Sequence, residues 1–150
     1  MKIKPVLLSM IFLLLVPFLA HAQDTRFQGD LQGVELQSTK YAILVADIPH
    51  LISGLEVAEK MRVKANHFKF EIVITGNAVK EIVSNPDWKD LLDRSEEVGV
   101  RLTLCEKSMR RHHIQKSEID RRFGTTPNGM VRIFELNDKG YNTVTMQRAG

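Results

Sequence analysis

The chain has 150 residues, a formal net charge of +3, 43% hydrophobic residues and one cysteine, Cys105. That length suits one domain with a real core, and a single cysteine excludes an intrachain disulfide framework. The charge is no argument for nucleic acid, because a basic balance this small says nothing about partners beyond local patches.

The first residues read as an export signal. Lys2 and Lys4 precede an apolar run from Val6 to Ala20, which closes on the small-x-small triplet Ala20-His21-Ala22 before Gln23 and Asp24 turn the chain polar. The run falls short of the roughly 20 apolar residues of a spanning helix and contains Pro17. Residues 1–22 are therefore read as a cleavable signal peptide, and the mature chain is expected in the periplasm with no membrane association. Loss of Lys2 and Lys4 with the signal lowers the net charge by two, so no nucleic-acid partner is expected either. Residues 23–39 read as a polar arm or linker with a short strand near Val34–Leu36, and residues 40–150 as one domain.

Order is expected from Tyr41. The run Tyr41–Ala46 is continuously apolar, as in a strand buried on both faces. A helix follows over Leu51–Ala65, with Leu51, Leu55, Ala58 and Met61 in steps of three and four. A second strand covers Phe68–Thr75. Gly76-Asn77 then opens a short helix to Val83. Asn85-Pro86 starts another helix, carrying Trp88, Leu91, Leu92 and Val98 and ending at Gly99. The third strand, Val100–Cys105, alternates, with Arg101, Thr103 and Cys105 opposite the leucines. Helical turns are expected over Ser108–Ile114 and Ser117–Arg121. Pro127-Asn128-Gly129 reads as a turn, Met130–Leu136 as a strand, and Asn137–Gly140 as the link of a hairpin to a last strand, Tyr141–Met146. The fold class is thus α/β: a three-layer, mostly parallel sheet with helices on both faces and a C-terminal antiparallel hairpin strand at the edge.

In an open α/β sheet, ligands gather at the carboxyl ends of the strands. That rule selects Asp47 and His50 after strand one, Thr75, Gly76 and Asn77 after strand two, and Cys105 and Ser108 after strand three. Cys105 is the best candidate for chemistry. A helix beginning just beyond it and the cations Arg110 and Arg111 would favour the thiolate, which is the reactive form. The competing reading is a small buried hydrophobe, the usual fate of a free cysteine. Thr75-Gly76-Asn77 is similar to a strand-to-helix anion cradle but lacks the further glycines and lysine of a phosphate loop, and the competing reading of Asn77 is a helix cap. Asp47 and His50 form an unspecific acid–base pair, and an Asp there more often caps the next helix. His112-His113 is no chelate, since neighbours on a helix point apart, and no HExxH, CxxC or paired carboxylate supports a metal. No flavin or nicotinamide motif is present, so no cofactor is expected. No GxSxG supports a serine hydrolase, and no second cysteine supports a dithiol redox enzyme.

Three stretches resemble the DsrE/DsrF-like family of small sulfur-relay-related α/β proteins: Ile72–Val79, Val100–Met109, and Pro127–Leu136 with Lys139-Gly140-Tyr141. The resemblance spans Tyr41 to Met146. It implies a DsrE-like, flavodoxin-like domain that assembles into homo-oligomers. It also implies that Cys105 falls where members carry a cysteine able to accept sulfur as a persulfide. The expected function is an exported sulfur-binding or sulfur-carrier protein holding sulfane sulfur on Cys105, with Gly76, Asn77, Ser108 and Arg110 as ligand-binding groups. Its partners would be a sulfur donor or acceptor protein or a small sulfur compound. The alternative is a non-catalytic homo-oligomeric module that binds a small ligand or partner protein, with Cys105 structural.

Overall fold

The computed structural model describes residue 33 and residues 35–64 and 67–146. The expected signal peptide and most of the arm lie outside the described residues, and residues 35–38 form no strand. The chain divides into two units, Met1–Val34 and Glu35–Gly150, and every helix and strand described belongs to the second.

Among the described residues, five strands and five α-helices follow one another: β1 Lys40–Val45, α1 Ile48–Lys64, β2 Lys69–Ile74, α2 Gly76–Ser84, α3 Lys89–Glu97, β3 Val100–Cys105, α4 Glu106–Arg111, β4 Gly124–Thr126, α5 Gly129–Asp138 and β5 Asn142–Met146. Short 3-10 turns at Pro86–Trp88 and Lys116–Glu118 lie between them. The sheet order is β4-β3-β2-β1-β5, and all four strand pairs are parallel. The chain thus steps outward from β1 to β4 and then crosses back, through α5, to the other side of β1.

That reversal puts α5 on the opposite face from α1. A Cβ on Gly54 of α1 would strike Ile43, whereas one on Gly129 of α5 would meet Val73 and Leu44, at 3.2 and 3.3 Å. Neighbouring residues on a strand point to opposite faces, so the two glycines mark two layers. The α1 face is apolar: Leu51, Leu55, Ile72 and Leu104 are fully buried. Under α5 lies a smaller core of Ala42, Leu44, Val73, Ile133 and Leu136. On the same face, toward β3 and β4, the buried residues turn polar: Glu71, Thr103 and Thr126 are 3, 2 and 6% exposed.

Two expectations are corrected. Met130–Leu136 is not a strand but most of α5, and β5 is consequently not antiparallel. It is an edge strand, as expected, paired parallel to β1 because a helix rather than a hairpin delivers it. The Asn128 side chain accepts from the Met130 N–H at 3.0 Å, so the supposed turn is an N-cap. Gly140 (φ +80°) closes a helix, not a hairpin. Its N–H donates to the Asn137 carbonyl and that of Tyr141 to Leu136, at 2.8 and 3.0 Å, which is a Schellman ending. Smaller differences are that α1 begins at Ile48 and that β4, three residues long, was not anticipated.

Candidate functional site at the carboxyl edge of the sheet

β3 runs straight into α4, with Cys105 as the last strand residue and the N-cap of the helix. Its side chain lies on the α5 face and is 2% exposed. The Gly129 backbone N–H, at the start of α5, points at Sγ with 3.3 Å between nitrogen and sulfur. A Cβ at Gly129 would press on Val73 and Leu44 and touch Cys105, so a larger residue there requires those side chains to give way by a few tenths of an ångström.

Ser108 completes the surroundings. It is buried, one turn into α4, and its Oγ lies 3.1 Å from Thr75 Oγ1 and accepts from the Gly76 N–H at 2.9 Å. Thr75 is the N-cap of α2 but makes no side-chain cap bond, because its hydroxyl is turned to this cluster. Gly76 holds φ +61°, a left-handed conformation that brings it against Ala46 and lets β2 turn into α2.

Burial alone pushes the Cys105 thiol up. Hydrogen bonds from the Gly129 and Ser108 backbone N–H groups and from the Ser108 and Thr75 hydroxyls outweigh it, so the thiol lies below its ordinary value. Neutral donors, the Gly129 N–H foremost in the geometry, favour a negative sulfur. The arrangement can hold a thiolate, or the terminal sulfur of a persulfide formed on it.

The other expected site residues are dispersed. Gly76 meets Cys105 only through Ser108. Asn77 is exposed and does not cap α2; it lines a shallow depression with Lys80, Glu81, Ser84 and His112. Arg110 points outward, 4.0 Å from Glu106 Oε2 on its own helix. His112 is tied to the α2 turn, with Nε2 3.2 Å from the Gly76 carbonyl, and His113 takes φ +58° in the turn that ends α4. Asp47 caps α1 through the His50 N–H at 3.0 Å, and its other oxygen lies 2.8 Å from His50 Nδ1. Among the described residues no cluster of three His, Cys, Asp or Glu side chains could hold a metal. No helix there is long and apolar enough to cross a membrane.

Sequence reasoning missed Gly129, Thr126 and the Glu71–Arg132 pair. Arg132 of α5 reaches Glu71 of β2 with two hydrogen bonds of 2.9 Å, and Thr103 Oγ1 donates to the same carboxylate at 2.9 Å. The one available signal was Asn128 followed by Gly129, an N-cap and first helical residue in a stretch that otherwise looked like a strand.

Fold and site together define a small parallel α/β protein with a hydrogen-bonded thiol at the carboxyl edge of its third strand. Residues 39–146 match the model of the DsrE/DsrF-like family, and the chain belongs to that family. No curated protein matches the chain significantly. Two solved structures share the fold. One is MTH1491 from Methanobacterium thermoautotrophicum, titled a protein of unknown function, at 14% identity and TM-score 0.55 over 71% of this chain and all of that one. The other is the ychN protein from E. coli, at 14% identity and TM-score 0.52 over 71% of this chain and 99% of that one. The family supports a sulfur-relay-related role in general terms.

Proposed function

We propose that the mature chain is a sulfur carrier that holds sulfane sulfur as a persulfide on Cys105. The observation that carries this reading is the Gly129 N–H aimed at Sγ from 3.3 Å, beside the buried Ser108–Thr75 hydroxyl cluster that also favours the thiolate. A cysteine that only fills space needs neither. The step is attack of the Cys105 thiolate on the outer sulfur of a donor persulfide R–S–SH. The bond from Cys105 Sγ to that sulfur forms and the donor S–S bond breaks. R–S⁻ leaves with the electron pair, and the proton stays on the transferred sulfur. Cys105 is oxidised as the donor sulfur is reduced, and no further reagent is required. Transfer to an acceptor thiolate is the reverse step.

Ser108 belongs to this site, and Gly76 supports it by holding the Ser108 hydroxyl. Asn77 and Arg110 are proposed for the docking of a donor or acceptor, since both are exposed, Asn77 at the start of α2 and Arg110 in the last turn of α4. Export rests on the Lys2/Lys4, Val6–Ala20 and Ala22 pattern, and a mature N-terminus at Gln23 in the periplasmic fraction would test it. Assembly with further copies of the chain is supported by Met130, Val131 and Phe134, which stand 42, 49 and 61% exposed on the outside of α5. A monomeric mass in light scattering would reject it.

The second reading, a binding module with a structural Cys105, draws on the 2% exposure of that residue. Incubation of the mature protein with a persulfide donor, followed by intact mass, separates the two. The carrier gains the mass of one sulfur, and Cys105→Ser gains none. Equal loading of both proteins, or loading of neither, removes the carrier reading.

A further inference from the structure

Beside Cys105 the α5 face holds a second feature that the thiol site does not use. A cleft of about 210 Å³ lies between β3, β4 and α5, lined among others by Arg101, Thr103, Thr126, Pro127 and Arg132. Both acids in its wall, Glu71 and Glu135, turn to Arg132, at 2.9 and 3.2 Å. Arg101 has neither a hydrogen bond nor an ion pair among the described residues.

The position of that free guanidinium is fixed by its neighbours. Arg101 Nε and Nη2 both lie 3.3 Å from where a Cβ of Gly124 would stand, as does Thr103 Oγ1. The exposed head group therefore lies against the glycine, on the rung where Thr103 pairs with Gly124. On the next rung of the same face, Cys105 pairs with Thr126. Two residues along a strand span about 6.6 Å. A cation thus stands about 6–7 Å along the strand from the thiol rung, in a cleft whose wall reaches Thr126, the register partner of Cys105.

We infer that this cleft selects the sulfur donor: Arg101 grips the carboxylate of a small organic persulfide, whose outer sulfur is then presented to Cys105. Guanidinium and carboxylate pair in a planar fork, and Arg101 has its fork free. A carboxylate matches the guanidinium fork with two parallel hydrogen bonds, and a persulfide on the same small molecule supplies the sulfur. This inference rests on the carrier reading, and Arg101 acts as a specificity residue within it.

The test compares two donors that differ in one group: the persulfide of 3-mercaptopropionate, which has the carboxylate, and that of 2-mercaptoethanol, which does not. Loading of the mature protein is followed by intact mass against donor concentration. Arg101→Gln is expected to slow loading from the first roughly tenfold or more, with the loss in concentration dependence, and to leave the second unchanged. Arg101→Lys should fall between, since an ammonium keeps the charge but not the fork. Equal rates for wild type and Arg101→Gln with the carboxylate donor, or equal slowing with both donors, overturns the inference and leaves the carrier reading standing. Failure of the wild type to load from either donor removes both.

Discussion

The two faces of the sheet are built to different rules. Against α1, side chains such as Leu51, Leu55, Ile72 and Leu104 are buried with no polar atom among them. Against α5, apolar packing covers β1 and β2 and then gives way to Glu71, Thr103, Cys105, Thr126 and Arg132. Both faces bury side chains, so burial of individual residues does not separate them. They differ in what satisfies the buried atoms: dispersion and area on one side, directed hydrogen bonds on the other. The first arrangement tolerates repacking. The second fixes each donor and acceptor, and it is where the thiol sits. The comparison places the chemistry on the α5 face and leaves the α1 face to apolar packing.

The largest predicted effect tests whether the polar face also carries stability. Glu71→Leu leaves Arg132 without its bidentate partner under α5, and removal of one member of a buried pair costs about 3–5 kcal/mol. The double variant Glu71→Leu/Arg132→Leu should recover most of that loss in urea denaturation, because no charge is then stranded. If the single variant is as stable as wild type, the pair is ornamental and the contrast between the faces weakens. Next in size is Leu55→Ala on the α1 face, which should cost about 2–5 kcal/mol by the same measurement. It should leave the pH midpoint of Cys105 alkylation where it was. A shifted midpoint would show that the α1 layer tunes the site and that the faces are not separable.

The legibility of the sequence follows the same division. β1, β2, β3 and α1 could be read directly, because runs such as Tyr41–Ala46 and the Leu51/Leu55/Ala58/Met61 spacing state one period without interference. α5 could not. Its buried residues Gly129, Ile133 and Leu136 keep a helical step, but Met130, Val131 and Phe134 are apolar and exposed on the other side. Apolar residues all round, several of them β-formers, mimic a strand. β4 is only Gly-Thr-Thr and offers no period at all. The site inherits this: Cys105 and Ser108 follow from the carboxyl-end rule, whereas Gly129, Thr126 and Arg132 arrive on the two misread or missed elements. Glu71 and Arg132 are 61 residues apart, and no local pattern couples them.

A smaller effect probes the hydrogen bonds at the thiol. Cys105 titrates below the ordinary thiol value because Ser108, Thr75 and Gly129 donate to it against the cost of burial. Alkylation of the folded protein should therefore rise with pH through a midpoint below the ~8.5 of a free thiol. Ser108→Ala removes a hydroxyl donor worth about 1.5–3 kcal/mol to a charged acceptor, which raises the midpoint by roughly one to two pH units. Thr75→Val should move it in the same direction by less, because the Thr75 hydroxyl contributes least and its close partner is the Ser108 hydroxyl at 3.1 Å. An unmoved midpoint in both variants would mean that the backbone N–H groups alone set the thiol.

The smallest effect lies outside both faces and serves as their control. Arg122 binds Asp120 at 2.9 Å and Asp93 at 2.6 Å, anchoring the segment between α4 and β4 to α3. Arg122 pulls the Asp120 carboxyl down to about 2, below the ordinary ~3.9 of Asp. A depressed carboxyl stabilises the fold above its unfolded value and loses that contribution as pH falls through its folded one. The gain should thus be complete above about pH 5 and gone only below pH ~2. Asp120 is solvent-accessible, so the contribution is small, under about 1 kcal/mol. Asp120→Asn should run slightly below wild type in urea stability at pH 6, with the gap closing as pH falls through ~2. It should do so without changing Cys105 alkylation. A change in alkylation would mean that the loop carrying β4, and with it Thr126 beside the thiol, is held in place by this surface clamp rather than by the sheet.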